Sequence, residues 1–227
     1  MKIKADIHIH TAYSDGNGTI DEILIAARRA GLNAIAITDH NTSKAYRIAK
    51  MKSRNLLIIP GFEAETDAGH VLVLGILKKG SERVRYRYEE LIEKVEELGG
   101  ITILAHPAIY PQKIKRWIKC KPIAIEVINA LYPLPKFQVN ISMKIANKLS
   151  LPMTAGSDAH QPNQIGKAYM KIEVDKINLE EILEAIRKGK TIVNGNYAPL
   201  SYRIKAAIKY ITPKIKRKHK PKLERIP

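Results

Sequence analysis

Near its N-terminus the chain carries Asp6-Ile-His-Ile-His10, and the chemistry it could do starts from those two imidazoles. His8 and His10 are two residues apart, the spacing that on a β-strand sends both side chains to one face. Asp15 follows in Ser14-Asp-Gly-Asn-Gly18, a loop whose backbone can return a carboxylate toward them. Two neutral imidazoles and a carboxylate converging on one point are the start of a site for a transition metal of borderline softness. H-x-H alone equally describes a strand with two half-buried histidines, so the reading depends on the rest of the chain.

Four further apolar runs end in residues of the same kind. Ile35-Ala-Ile-Thr precedes Asp39-His40, and Leu57-Ile-Ile-Pro-Gly-Phe precedes Glu63. Ile103-Leu-Ala precedes His106, and Met153-Thr-Ala-Gly-Ser precedes Asp158 and His160. His70 opens its run after the turn Asp67-Ala-Gly69, and a hairpin would bring it back to the same rim. Six of the seven histidines sit at such positions, and only His219 lies elsewhere. Any one of them could be a satisfied core or surface residue. A scatter of such residues would not select strand ends, however, and the set reads as a polynuclear metal site. Asp39 is expected to support a ligating imidazole from behind, and Glu65 to be a solvated strand residue.

The elements that must position these residues alternate short apolar runs with amphipathic patterns. Thr19-Ile-Asp-Glu22 reads as a capping box opening a helix that stops at Gly31. Strands are expected at 34–38, 56–59, 71–77, 101–105, 123–128, 152–155, 168–174 and 191–193. Helices are expected at 42–51, 88–98, from about 112, at 136–149 and at 179–188. The strand at 71–77 follows too closely for a helical crossover and should run antiparallel to its neighbour. Repetition of strand, loop and helix implies a mostly parallel sheet covered by helices. With seven or eight units, a closed or nearly closed α/β barrel is the economical solution. Carboxyl-terminal strand ends are where such a barrel assembles a site from several loops.

At 227 residues the chain suits one sizeable core. No apolar stretch approaches the roughly 18–20 residues that span a bilayer, and no signal sequence is evident. A single cysteine, Cys120, excludes an intramolecular disulfide and suits a reducing interior, so a cytoplasmic location is expected. The net charge of +17 is concentrated at the end: residues 203–227 hold ten Lys or Arg and one acid, Glu224. This segment reads as an amphipathic helix from Tyr202 followed, from Thr212, by a proline-broken cationic stretch. It is compatible with a solvated end or with contact to nucleic-acid phosphates.

Taken together, His8-x-His10, Asp15, Thr38-Asp39-His40, Gly61-Phe62-Glu63, His106-Pro107 and Ser157-Asp158-Ala159-His160 resemble the PHP family, named for polymerases and histidinol phosphatase. The resemblance covers residues 1–195, leaving 196–227 as a basic C-terminal helix and tail. It implies a distorted (β/α)7 TIM-like barrel holding two or three divalent cations. Carried onto this sequence, it implies that His8, His10, Glu63 and Asp158 hold one cation. Asp15, His40 and His160 would hold another, and Glu63, His70 and His106 a third, with Glu63 bridging. The pattern is similar to that of the small stand-alone phosphoesterases, although this chain lacks room for the domain that some of their relatives insert.

Such a ligand set suits hydrolysis of a phosphate ester. Cations about 3.5–4 Å apart acidify a water and neutralise phosphoryl charge, and mixed imidazole and carboxylate ligation favours Mn, Zn or Fe. No thiolate ligand, P-loop or nucleophile elbow is present, so the expected nucleophile is metal-bound hydroxide. Asp15, Glu63 and His160 are expected to take part in the reaction itself. The expected substrates are nucleotides or short oligonucleotides. The alternatives are histidinol phosphate or another small metabolite, or a non-catalytic nucleic-acid-binding module on the same fold, as in a ribonuclease P subunit.

Overall fold

The computed structural model describes residues 1–78, 85–211 and 223–224. In chain order its elements are β1 (Lys2–Ile9), α1 (Ile20–Arg29), β2 (Ala34–Ile37), α2 (Lys44–Lys52), β3 (Leu57–Ile59), β4 (Gly61–Thr66), β5 (Gly69–Leu74) and β6 (Arg85–Tyr86). There follow α3 (Tyr88–Glu97), β7 (Ile101–Leu104), α4 (Ile114–Lys119), β8 (Ala124–Asn129), α5 (Pro135–Leu149) and β9 (Met153–Gly156). The last are β10 (Ala168–Glu173), α6 (Leu179–Arg187), β11 (Thr191–Gly195), α7 (Leu200–Ile211) and β12 (Leu223–Glu224). The cationic stretch from Thr212 lies outside the described residues, apart from β12.

Local signals account for much of this. Thr19 caps α1 with the reciprocal Glu22 bond of a capping box, and Gly31 follows the helix at φ +67°. Asn178 caps α6 by accepting from the Glu181 amide. Before α4 the chain makes two 3₁₀ turns, each led by a proline, so that helix starts at Ile114 and not near Gln112. β4 was not separated in the sequence because it follows β3 directly across Pro60, although Phe62 and Ala64 alternate with Glu63 and Glu65 at the strand's period of two.

The strands run β11-β10-β1-β2-β3 and β12-β6-β4-β5-β7-β8-β9. β3 and β4 are consecutive across Pro60, and two bridges join the sheets: His40 to Glu63, and Ile9 to Ala159. The circuit thus closes as a distorted barrel, β1, β2, β3/β4, β5, β7, β8, β9 and back to β1. It is less parallel than the alternating pattern implied. β5 is antiparallel to both β4 and β7, because the β4–β5 turn is only Asp67-Ala68. β10 is antiparallel to β1, since the connection from β9 contains one 3₁₀ turn and no crossover helix.

One apolar cluster fills the barrel, with Ile3, Ala5, Ile7, Leu72, Ile101, Ile103 and Met170 among its members. A second lies under α3–α5 around Trp117, and a third under α1 and α2. Strict alternation along β1 would put Ile7 and Ile9 on one face. Instead Ile7 belongs to the inner cluster and Ile9 to the outer one, because the β1–β2 register shifts between Asp6 and Ile9. That bulge turns His8 and His10 toward the barrel mouth above Ile7. α7 is fastened to the same end: Arg203 donates to the carbonyls of Ala198 (2.9 Å) and Pro133 (3.1 Å).

Asp6 seals the barrel seam. Its Oδ1 accepts from the Ser157 amide (3.0 Å) and the His8 amide (3.3 Å), and its Oδ2 from Gly166 (2.9 Å). It thus ties β1 to both ends of the β9–β10 connection. Burial raises its pKa to about 6, against the pull of those amides. Asp6→Asn keeps the volume but turns an NH₂ toward at least one N–H donor. Urea unfolding is expected to show a loss of about 1–3 kcal/mol; an unchanged midpoint would mean the seam is held elsewhere.

Candidate metal centre

Four strand ends and two loops bring nine side chains together at the barrel mouth: His8, His10, Asp15, His40, Glu63, His70, His106, Asp158 and His160. Glu63, 1% exposed, is at the centre. Its Oε2 lies 3.5 Å from His8 Nε2, 3.3 Å from His10 Nε2 and 3.1 Å from His40 Nδ1. Its Oε1 lies 2.9 Å from His70 Nδ1 and 3.0 Å from His106 Nε2. The turn Asp67-Ala68 is what returns His70 beside Glu63, through the Glu65–His70 register of the β4–β5 hairpin.

Asp158 is the second focus. Its Oδ1 is 3.2 Å from His10 Nε2, 3.5 Å from His8 Nε2 and 3.6 Å from His160 Nδ1. Asp15 is the third, with Oδ1 3.3 Å from His160 Nε2 and Oδ2 3.6 Å from His40 Nε2. The groups that could share one ion are His10 with Asp15, His40 and His160; His8 with His10 and Glu63; His8 with His106 and Asp158; and His40 with Glu63 and His70. His10 and His40 therefore stand between the sets that the family pattern separates.

The residues present fit divalent cations. Two ligand atoms each about 2.0–2.2 Å from one ion sit roughly 3.0–3.5 Å apart, and most of the separations above are of that order. The fully buried Nε2 atoms of His8 and His10 and the buried Nδ1 of His40 make no hydrogen bond, although each faces carboxylate oxygens. Buried polar nitrogens left in that state are costly unless an ion takes the lone pair. The other ring nitrogens fix the tautomers. His8 Nδ1 donates to Glu126 Oε1 at 2.9 Å, and His160 Nδ1 donates to the Asp158 carbonyl at 2.8 Å. Each leaves Nε2 directed into the cluster.

The electrostatics show how tightly the charges are coupled. Burial opposes ionisation of Glu63, but the imidazoles of His40, His70 and His8 hold its carboxyl well below the usual carboxylate range. Asp158 is likewise buried yet lowered by His8, His10 and His160, and Asp15 by His160 and His40 against its own burial. Burial would lower His10, but Asp158 and Glu63 raise it to about 10. His8 is also raised by Asp158, Glu126 and Glu63 despite complete burial. His40 goes the other way, since burial and the nearby His10 and His70 outweigh Glu63.

Asp39 does not reach an imidazole as expected. Its Oδ1 accepts from the Thr11 amide (2.7 Å) and Ser14 Oγ (2.6 Å), and its Oδ2 from Thr11 Oγ1 (2.7 Å). It fixes the loop that presents Asp15, and it meets an imidazole only through Ser14, whose Oγ lies 3.5 Å from His10 Nδ1. The sequence reading missed Glu126 and Asn129 altogether. Both are buried, and Asn129 Nδ2 donates to Glu126 Oε2 (2.9 Å) and Asp158 Oδ2 (3.2 Å). The signal was there: Glu126 is the only acid in the apolar run Ile123-Ala-Ile-Glu-Val-Ile128, too apolar for a solvated carboxylate.

The chain matches the family described as PHP domain over residues 6–115 and that described as PHP-associated over residues 139–191. It is 35% identical over 122 residues to the uncharacterized protein MJ1587 of Methanocaldococcus jannaschii, covering 46% of this chain and 68% of that one. Its fold is similar to a Bacteroides vulgatus two-domain protein containing a predicted PHP-like metal-dependent phosphoesterase, with a TM-score of 0.70 and 21% identity. That match covers 86% of this chain and 65% of the other. Its fold is also similar to the lesion-specific endonuclease PfuEndoQ of Pyrococcus furiosus, with a TM-score of 0.62 and 20% identity over 85% of this chain and 58% of that chain.

Because carboxylates raise His8 and His10, these imidazoles hold protons at neutral pH until a cation displaces them. Adding Mn²⁺ to weakly buffered ion-free protein should therefore release about one proton or more per ion bound. Affinity should fall as pH is lowered, since the protonated form then gains. An indicator-dye titration with no proton release would contradict the ligand assignment.

Proposed function

Because the chain belongs to the PHP family, we propose that its barrel mouth hydrolyses phosphate esters, with nucleotides or short oligonucleotides as substrates. The observation that carries the reading is Glu63, one buried carboxylate whose two oxygens face different imidazole sets. His8, His10, Glu63 and Asp158 would hold one cation, Asp15, His40 and His160 a second, and Glu63, His70 and His106 a third. Mn, Zn or Fe suits such donors, and when bound they would acidify water and neutralise charge on phosphoryl oxygens.

The chain's own residues divide the labour by exposure. His8, His10, Glu63, His106 and Asp158 form a floor closed to solvent, backed by the apolar barrel core. Asp15, His40, His70 and His160 are partly exposed, so the phosphate enters past them. Asp15 stands at that entrance, where its carboxylate, oriented by His160 and His40, can meet the leaving group. Glu63 and His160 hold the floor and the entrance in one charged network. Tyr110 packs beside His70, with ring centroids 5.8 Å apart, and walls one side of the opening.

A nucleic-acid substrate class is supported by the fold shared with the Pyrococcus furiosus endonuclease and by the charge of +17. A binding module without catalysis has no use for so many clustered buried ionisable groups, which are costly to bury. The lone Cys120 and the lack, among the described residues, of any helix long and apolar enough to cross a membrane fit a cytoplasmic enzyme.

Glu63→Gln keeps the shape of the floor but removes the shared charge. Turnover of metal-reconstituted protein should fall by about 100-fold or more, beyond the roughly 10- to 100-fold typical of groups behind the ligands. Near-normal turnover in a folded variant would remove Glu63 from the mechanism. The wild type should be assayed on mononucleotides, 3′,5′-bisphosphates, oligoribonucleotides and histidinol phosphate. Preference for the last would shift the reading to a small-metabolite phosphatase.

For the segment from Thr212, truncation should raise KM for oligonucleotides and flatten its salt dependence, about −0.7 per phosphate contact on single strands. Hydrolysis of a small unspecific ester should stay unchanged, since no proposed ligand lies beyond His160. Loss of that activity too would make the tail structural.

A further inference from the structure

Behind the ligands sits a buried group that the family pattern and the hydrolytic reading leave unassigned, and we infer that Glu126 is a positioning residue that presets His8, His106 and, through Asn129, Asp158 for metal. The inference rests on the reading of the cluster as a metal centre. It concerns which group behind the ligands holds them in place.

Glu126 is fully buried in β8, and its side chain reaches His8 on β1. It accepts three bonds, each of 2.9 Å: Oε1 from His8 Nδ1, and Oε2 from the His106 amide and from Asn129 Nδ2. An ionised carboxylate only accepts, so His8 keeps a proton on Nδ1 against Glu126, and Nε2, which faces Glu63 and Asp158, is the nitrogen left to exchange its proton for a bound cation. Asn129 is itself oriented, because its Oδ1 accepts from the Leu131 amide at 2.9 Å. Its NH₂ is therefore turned to Glu126 and, at 3.2 Å, to Asp158 Oδ2.

Two of the ligands so held have left-handed backbones, His106 at φ +32° and Asp158 at φ +52°. Such conformations cost of order 1–3 kcal/mol and persist where surrounding contacts enforce them. Glu126 grips the amide of the first, and Asn129 grips the carboxylate of the second. The packing around this network leaves no slack. A Cβ on Gly156 would lie 2.5 Å from His8 Cβ and 2.7 Å from Glu126 Oε1, so only glycine at the end of β9 lets β1 and β8 approach this closely.

A structural salt bridge would stabilise the fold without tuning the metal; a positioning residue does the reverse. The test uses the full chain, stripped of metal and titrated with Co²⁺ against a chelator, with the visible d–d bands recorded. Glu126→Gln can no longer accept from all three donors. It should weaken the tightest Co²⁺ site by about 10- to 100-fold and shift its bands, while the metal-free protein stays folded by circular dichroism. Glu126→Asp keeps the charge and should recover part of the affinity.

A folded Glu126→Gln with wild-type affinity and bands would overturn the inference. Should that variant not fold, Asn129→Ala decides: it leaves the carboxylate and the His8 bond in place but frees Asp158, and weaker Co²⁺ binding supports the inference while unchanged binding overturns it. Wild-type protein that binds no Co²⁺ would instead overturn the metal reading beneath both.

Discussion

Everything in this protein depends on keeping one carboxylate, Glu63, ionised and dry among five imidazoles. Burying a charge is expensive, and the cost is met only when opposite charges or ions surround it at close range. Glu63 has such partners on both oxygens, all within 3.5 Å. The same crowding leaves imidazole nitrogens with no hydrogen bond, an arrangement that a bound cation relieves. The site is thus a set of mutually dependent charges.

The barrel is closed by the residues that form this cluster. One join between the sheets is the bridge from His40 to Glu63; the other is Ile9 to Ala159, with Ala159 between Asp158 and His160. Stability of the seam and geometry of the site are therefore hard to separate, and Asp6 adds three backbone bonds at the same place. The floor is rigid because it doubles as the barrel's closure. The entrance is formed by Asp15, His40 and His160, which lie outside the strands, together with His70 near the start of β5. Even there Asp39 ties down the Asp15 loop through Thr11 and Ser14.

The family and the fold give the class of reaction, while the substrate is set by what surrounds the entrance. There the helix α7 is secured by Arg203 to the loop after β8, so the basic end of the chain begins at the mouth of the barrel. Exposed apolar side chains sit along the same region, Leu134 and Phe137 on one element and Leu200 and Ile204 on α7.

The amino-acid sequence by itself determined which histidines and carboxylates stand at strand ends, and most of the elements. Histidines at the ends of apolar runs are visible without a structure because strand ends are local events, set by period-two patterning and by turns such as Asp67-Ala-Gly69. What only the tertiary structure decided is pairing and direction. The bulge between Asp6 and Ile9 settles which way His8 points, and it arises from register against β2, where Asp6 pairs with Ile35. Glu126 looks in sequence like an isolated acid in a strand; its role exists only because β8, β1 and the turn at His106 meet in space. The same holds for Asp39, whose neighbours in sequence suggest an imidazole and whose neighbours in space are a loop. Residue type and local spacing fix what chemistry is available, but hydrogen bonds between segments far apart in the chain fix which atom faces which.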